Sequence, residues 1–147
     1  MADISYFLTT HYHPDHAGLA QELKNTGLKL IVLENQVAAL PTLKSYMKPQ
    51  NNYVDIDPSD NVLLNFDDSR AFLLRLGLQG EIIPTPGHSD DSVTLILDEG
   101  AAFTGDLTHP LLLSDDMTDA AHQSWAKIRS FSVKRVYPGH GPVWKLE

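Results

Sequence analysis

The residues best suited to chemistry lie in one short segment near the start of the sequence, which reads Thr10-His11-Tyr12-His13-Pro14-Asp15-His16-Ala17-Gly18. Side chains two residues apart on an extended chain point the same way, so His11 and His13 project together. Pro14 favours an extended backbone at His13. A helical pattern follows and places Asp15 and His16 at its N-terminus. The segment therefore predicts a strand-to-helix corner that offers four ligands and can serve two metal ions.

Three later segments share a second pattern, in which a predicted strand ends beside a glycine and a polar residue. The polar residues are His88, Asp106 and His140. Glycine permits the backbone angles or the close approach that a tight site requires. In open α/β sheets, ligands gather at the carboxyl ends of the strands. The four segments together predict one metal centre, with ligands His11, His13, Asp15, His16, His88, Asp106 and His140.

The same residue types also occur where no chemistry is needed. His122 lies on the face of a predicted helix, where a surface or packing role is expected. Taken alone, His88 and His140 are ordinary residues for glycine-containing turns, and Asp106 is an ordinary turn residue. The joint pattern of the histidine-rich segment and its three downstream partners favours metal binding over these simpler roles.

Composition limits the classes of protein that remain. The chain has 147 residues, 42% apolar and 20% charged, which predicts one globular domain over residues 1–147. It contains no cysteine, so disulfides are excluded and a metal must be held by His, Asp or Glu. The net charge of -8 and the lack of a basic stripe count against nucleic acid as a partner. A small-molecule substrate is expected instead.

The sequence also bears on the expected location of the protein. No apolar run approaches the ~20 residues of a membrane span, so no membrane partner is expected. The segment MADISYFLTT has no basic region followed by a long apolar stretch, which is not typical of a signal peptide. A cytoplasmic location is the resulting expectation.

Strand and helix patterns alternate along the chain and predict a layered α/β fold with helices covering a sheet. The predicted strands are 4–9, 29–33, 81–84, 92–97, 101–104 and 133–137. The predicted helices are 15–27, 34–40, 67–76 and 118–131. The irregular stretch 41–65 is expected to form a loop over the site.

With these motifs in place, the chain resembles the metallo-β-lactamase-fold hydrolases from Thr9 to Pro142. The resemblance implies an αββα sandwich and two metal ions per chain, bound by ligands that match its motif. These are His11, His13 and His88 for the first metal, Asp15, His16 and His140 for the second, and Asp106 as the bridge. The flavodiiron branch usually has an acidic residue at the position of His13, so Zn²⁺ is favoured here over Fe or Mn.

The resemblance further implies a dinuclear zinc hydrolase that cleaves an ester, thioester, lactone or similar bond through a metal-bound hydroxide. Asp15 would orient the nucleophile as well as ligate, and Asp106 would bridge the two ions. His109, three residues after Asp106, is a further catalytic prediction as a group that transfers a proton.

The chain departs from the family at its front. The histidine motif begins at residue 11, so the αββα sandwich is expected to lack the usual N-terminal strands. A sheet without those strands exposes an unpaired edge and an apolar face, both of which promote association. The sequence therefore predicts a homodimer or a larger homo-oligomer, with a rearranged, self-standing sheet as the alternative.

Two other functions remain open. The first is a truncated, catalytically weak descendant of the same fold that binds a metal or a ligand without turnover. The second is an iron-dependent redox enzyme, because a site built from His and Asp does not fix the identity of its metal. Because all ligand positions are filled, a hydrolase is favoured over the catalytically weak descendant. The identity of the bound metal distinguishes the iron-dependent redox enzyme from the other two functions.

Overall fold

The computed structural model describes residues 4–116 and 119–147, and their contacts group into two compact units. The first unit ends at Asn65 and the second begins at Phe66. Each unit has its own sheet, with three strands in the first and five in the second. The assignment of residues 1–147 to a single domain stays a prediction.

The sheet of the first unit is entirely parallel, in the order β1, β2, β3. Its strands are β1 (Tyr6–Leu8), β2 (Lys29–Leu33) and β3 (Val62–Leu64). The central strand reads KLIVL, and every residue after Lys29 is buried. A continuous apolar run is typical of a parallel strand covered on both faces. The predicted strand 29–33 is confirmed, whereas β3 lies inside the stretch that was predicted to be a loop.

Two short helices replace the single helix predicted over residues 15–27. They are α1 (Pro14–Ala17) and α2 (Ala20–Asn25), separated by Gly18 and Leu19. A Cβ atom at Gly18 would collide with the carbonyl oxygen of Pro14, so the chain passes close to itself at this break. The second helix ends just before Gly27, whose φ of 98° is typical of a helix C-terminus.

The prediction of a helix over residues 34–40 is wrong. The chain makes turns there and then enters a 3-10 helix, Leu40–Tyr46, followed by a shorter one, Pro49–Asn51. Pro41 disfavours the α conformation at Leu40. The side chain of Gln36 also accepts a hydrogen bond from the backbone N–H of Leu33, at 3.2 Å, which stabilises a turn rather than a helix.

The second unit contains a mixed sheet in which β4, β5 and β6 form an antiparallel meander. Its strands are β4 (Gly80–Pro84), β5 (Val93–Leu97), β6 (Ala101–Gly105), β7 (Arg135–Pro138) and β8 (Trp144–Lys145). β7 lies parallel to β6, and β8 returns antiparallel to β7. The first four strands match the predicted ones, and every strand end lies within two residues of its predicted position. β8 was not predicted.

The described part of the second unit contains two α-helices, α3 (Phe66–Arg75) and α4 (Ala120–Arg129), and a 3-10 helix, Pro110–Leu112. The α4 side chains Trp125 and Ile128 are buried in one cluster with Ile96 and Val136 of the sheet. The helix was predicted over 118–131, and Thr118 lies outside the described residues. No helix in the described parts of the chain is long and apolar enough to cross a bilayer.

Candidate metal centre

Three imidazoles converge at the corner between β1 and α1 in the first unit. The ring of His11 lies 4.6 Å from that of His13 and 4.2 Å from that of His16, measured between centroids. His13 has φ −103° and ψ 158°, which is the extended conformation predicted for the residue before Pro14. His11 and His13 each offer one ring nitrogen, and these atoms lie within 4.8 Å of each other. The structure thus brings these three predicted ligands together.

Asp15 and His16 lie in the first turn of α1, as predicted. The Oδ2 atom of Asp15 is 3.4 Å from Nε2 of His16, and the Asp15 side chain is much the more exposed of the two. Because Pro14 occupies the first helical position, where no backbone N–H is needed, the helix begins directly after His13. The local sequence therefore places His11 and His13 on extended backbone and Asp15 with His16 at the start of a helix, all at one corner of the chain.

Gln36 supports this corner and was missed by the sequence analysis. Its side chain is fully buried, and its Nε2 donates to the carbonyl oxygen of Thr9 at 3.0 Å. Since its Oε1 accepts from Leu33 at the end of β2, Gln36 joins the ends of two neighbouring strands. No motif marks such a residue, and its only signal in the sequence is a glutamine directly before the apolar run 37–40.

The second unit carries the other three predicted ligands, two imidazoles on either side of one carboxylate. Oδ2 of Asp106 is 3.8 Å from Nε2 of His88 and 3.5 Å from Nε2 of His140. The backbone N–H of Gly139 donates to the carbonyl oxygen of Gly105 at 2.8 Å. This bond fixes the loop that carries His140 against the loop that carries Asp106.

Gly87 shows why a glycine precedes His88. Its φ is +146°, and a Cβ atom built on it would lie 2.7 Å from Cβ and 2.8 Å from Cα of Ala121. The loop therefore packs directly on the first turn of α4. A hydrogen bond of 2.6 Å from Ser124 Oγ to the carbonyl oxygen of Pro86 holds the same contact. The predicted need for a close approach at this glycine is confirmed.

A pocket of about 480 Å³ opens beside Asp106 within the second unit. Its lining includes His88, His140 and the catalytic prediction His109. The Nδ1 atom of His109 accepts a hydrogen bond of 3.2 Å from the backbone N–H of Leu111. In a neutral His109 the proton therefore resides on Nε2.

The donor set fits divalent metal ions. It consists of imidazole nitrogens and carboxylate oxygens, and the chain has no cysteine. Ligands at ~2.0–2.2 Å from a tetrahedral Zn²⁺ lie ~3.3–3.6 Å from one another. The separations of 3.4 Å for Asp15–His16 and 3.5 Å for Asp106–His140 match that spacing, whereas the 3.8 Å between His88 and Asp106 is slightly longer. The assignment of each side chain as a ligand stays a prediction.

His122 has the packing role that was expected of it. Its Nε2 donates to the carbonyl oxygen of Ser114 at 2.6 Å, so this imidazole holds a loop to α4. It is not among the residues that line the pocket beside Asp106.

The family model of the metallo-beta-lactamase superfamily matches residues 2–140. The chain belongs to this superfamily, and the resemblance predicted from the motifs is confirmed.

The curated relatives are longer proteins. The "Beta-lactamase-like protein 2 homolog" of Drosophila melanogaster is 29% identical over 99% of this chain, which covers 49% of that protein. The "Atrochrysone carboxyl ACP thioesterase" of Aspergillus fumigatus is 32% identical over 95% of this chain, which covers 39% of that protein. The chain thus spans about half or less of the length of the curated relatives that it matches.

Solved structures show the same fold. A crystal structure of TTHA1623 in a di-iron-bound form matches with a TM-score of 0.69 and 22% identity, covering 99% of this chain and 73% of that one. The metallo-beta-lactamase FIM-1 from Pseudomonas aeruginosa in its mono-zinc form matches with a TM-score of 0.63 and 22% identity, covering 95% of this chain and 60% of that one. The predicted metallo-β-lactamase fold is confirmed.

Proposed function

We propose that this chain is a metal-dependent hydrolase that holds two Zn²⁺ ions through the seven His and Asp residues that match the family motif. The observation that carries the proposal is that all seven ligand positions of the family motif hold His or Asp. Two sets of neighbouring donors, Asp15 with His16 and Asp106 with His140, also have the spacing expected of metal ligands. Such ions would act as Lewis acids, polarising the scissile carbonyl and lowering the pKa of a water toward ~7.

The chain's own carboxylates would hold and orient the nucleophile. Asp15 is exposed at the start of α1, and we propose that its carboxylate accepts a hydrogen bond from the attacking water. Asp106 lies between His88 and His140 in the second unit, which suits the bridging role that the family motif gives it. Orientation of the water by these carboxylates contributes to the rate because it removes rotational freedom before attack.

His109 is suited to move a proton to the leaving group. Its Nδ1 is occupied by the backbone N–H of Leu111, so Nε2 carries the proton of the neutral ring. Its imidazole lines the same pocket as Asp106. A general acid in this position typically contributes ~10²–10⁴-fold to the rate.

The bond that is cleaved is proposed to be a thioester, ester or lactone. The named activity of the thioesterase from Aspergillus fumigatus supports the first of these. The net charge of -8 disfavours polyanionic substrates, since the field of the protein repels them. A cytoplasmic location remains part of this proposal.

An iron enzyme is the second candidate, supported by the di-iron-bound form of the structural neighbour TTHA1623. Because His and Asp ligands accept zinc, iron and manganese, the metal present in the native protein decides between the zinc hydrolase and the iron enzyme.

The third candidate is a metal-binding relic without turnover, which would retain the metal but hydrolyse no substrate.

The proposal is tested by hydrolysis of acetyl thioester, aryl ester and lactone substrates by the zinc-loaded protein. We expect turnover of at least one class, reduced ~10²-fold or more by H109A, while the metal content stays unchanged. H122A is the matched control, because His122 bonds to Ser114 and should keep wild-type rates. Full metal loading without turnover of any class would contradict the hydrolase and support the relic.

A further inference from the structure

The pocket of the second unit has an aromatic wall of Trp125 and Trp144, beside His109, and the proposed mechanism does not use the two tryptophans. The rings of His109 and Trp144 lie 4.4 Å apart, and those of Trp144 and Trp125 lie 5.5 Å apart, between centroids. Trp125 is fully buried and its Nε1 donates to the carbonyl oxygen of Thr108 at 2.8 Å, so its indole is fixed in position. Leu112, on the same lining, is largely exposed.

The charge of this lining restricts what it can bind. Of the described residues that line the pocket, none is Lys or Arg, and Asp106 is the one carboxylate. Away from the proposed metal ligands, a negatively charged ring substituent would meet no Lys or Arg side chain on this lining, and burying it unpaired would be costly. Rings pack on one another in offset or edge-on arrangements that are favourable beyond the area they bury. The wall is thus complementary to a flat, uncharged ring.

We propose that this pocket binds an uncharged aromatic group on the substrate, beside the bond that is cleaved. The volume of about 480 Å³ lies in the ~300–1,000 Å³ range of pockets that enclose drug-sized ligands, so a ring with its attached chain fits. The identification of this ligand as a substrate rests on the proposed hydrolase, whereas the binding of the ring does not. The substrate class is an aryl or arylacyl thioester or ester.

The two tryptophans of the chain, Trp125 and Trp144, both line this pocket, so intrinsic fluorescence reports on it directly. The protein as purified is titrated with benzamide, excited at the red edge of the indole band where benzamide does not absorb. Cyclohexanecarboxamide is the probe of similar size whose ring is saturated and not aromatic. We expect saturable quenching by benzamide, with an affinity at least several-fold higher than that for cyclohexanecarboxamide.

Two variants compare the effect of removing an aromatic residue of the wall with that of removing an aromatic residue elsewhere in the same sheet. W144L should weaken benzamide binding roughly fivefold, the order expected for one aromatic pair. F103L is the matched control, because Phe103 stacks on Tyr137 at 4.8 Å in the same sheet and is not on the pocket lining. Circular dichroism of both variants establishes that they are folded. Equal affinity in wild type and a folded W144L would overturn the proposal.

Further measurements distinguish failure of this inference from failure of the hydrolase. Benzamide binding that persists after the metal is removed by chelation supports the aromatic wall. If chelation abolishes benzamide binding while the protein stays folded, benzamide binds the metal, and the proposal of an aromatic site is overturned. If benzamide binds but no substrate is hydrolysed, the hydrolase is refuted and the aromatic binding site is supported. If acetyl and phenylacetyl thioesters are hydrolysed with equal KM, the hydrolase is supported and the aromatic binding site is refuted. A protein that binds no benzamide, whether monomeric or dimeric, would contradict the proposal.

Discussion

At the scale of single residues, the proposed metal ligands follow from residue type and spacing, whereas the residues that support them do not. His11, His13 and Asp15 are visible in the sequence because few other roles need this pattern. Gln36 is not visible, because its hydrogen bonds reach Thr9, far away along the chain. The aromatic pair of Trp125 and Trp144 also depends on β8, a strand too short to be recognised from its sequence.

Gly87 gives a sharp prediction at this scale. In G87A the new Cβ would lie 2.7 Å from Cβ of Ala121, so the loop or α4 must shift and His88 moves with it. We expect a thermal midpoint several degrees lower and a clear loss of bound zinc, measured by calorimetry and elemental analysis. G77A is the matched control, since Gly77 has φ +81° but nothing within 4 Å of its Cβ position.

The G77A control measures the cost of alanine at a positive φ without the collision with Ala121 that occurs in G87A. A left-handed alanine costs ~1–2 kcal/mol, so G77A should lower the stability modestly and leave the zinc content unchanged. Equal zinc content in G87A and G77A would show that the contact with Ala121 does not position His88.

At the scale of elements, the strands were predicted well because a buried strand leaves a continuous apolar run in the sequence, as in Lys29–Leu33. The segment 34–40 was misassigned because its helical spacing is overridden by the bonds of Gln36 and by Pro41. Strand β3 was missed because only three residues pair, and one of them, Leu63, is exposed.

Arg70 connects three elements of the second unit and gives a prediction about pH. It donates to Asp98 just after β5, at 2.8 Å, and to Glu81 of β4, at 2.7 Å. These hydrogen bonds from the guanidinium of α3 lower the pKa of Asp98 below its ordinary value of 3.8. A carboxylate whose pKa is lower in the folded state stabilises the fold above its unfolded pKa. That contribution is lost as the pH falls through the folded pKa.

The wild-type protein should therefore be more stable than D98N at neutral pH by a small amount, and the difference should vanish in acid. Urea denaturation from pH 7 down to pH ~2.5 measures it, across the interval over which an Asp titrates. In an R70M background the pH-dependent difference should be absent, because the guanidinium that causes it is gone. A difference between D98N and wild type that grows on acidification would contradict the assignment.

At the scale of the whole molecule, self-association remains a prediction, and the first unit supplies a surface for it. Strand β3 forms an edge of the three-stranded sheet. Beside it lies a pocket of about 510 Å³, on whose lining Val37 and Leu63 are 50% and 67% exposed. An exposed sheet edge with apolar side chains promotes pairing with a second copy.

We expect sedimentation equilibrium to show a homodimer that L63E converts to monomer, because burying a carboxylate opposite apolar side chains is unfavourable. L111E is the matched control, since Leu111 is 87% exposed in the second unit and its replacement should leave the dimer intact. A protein that stays monomeric at every concentration, or a dimer indifferent to L63E, would contradict this prediction.

The proposed binding of two zinc ions by the seven residues of the motif is measured as the metal content per chain. Elemental analysis is made on the chromatographic peak of native size after zinc loading, for wild type, H88A and H122A. We expect about two zinc ions per chain in wild type and H122A, and a loss of zinc in H88A. Substoichiometric metal that H88A leaves unchanged would show that the motif is present without a working metal site, and would contradict the proposed hydrolase.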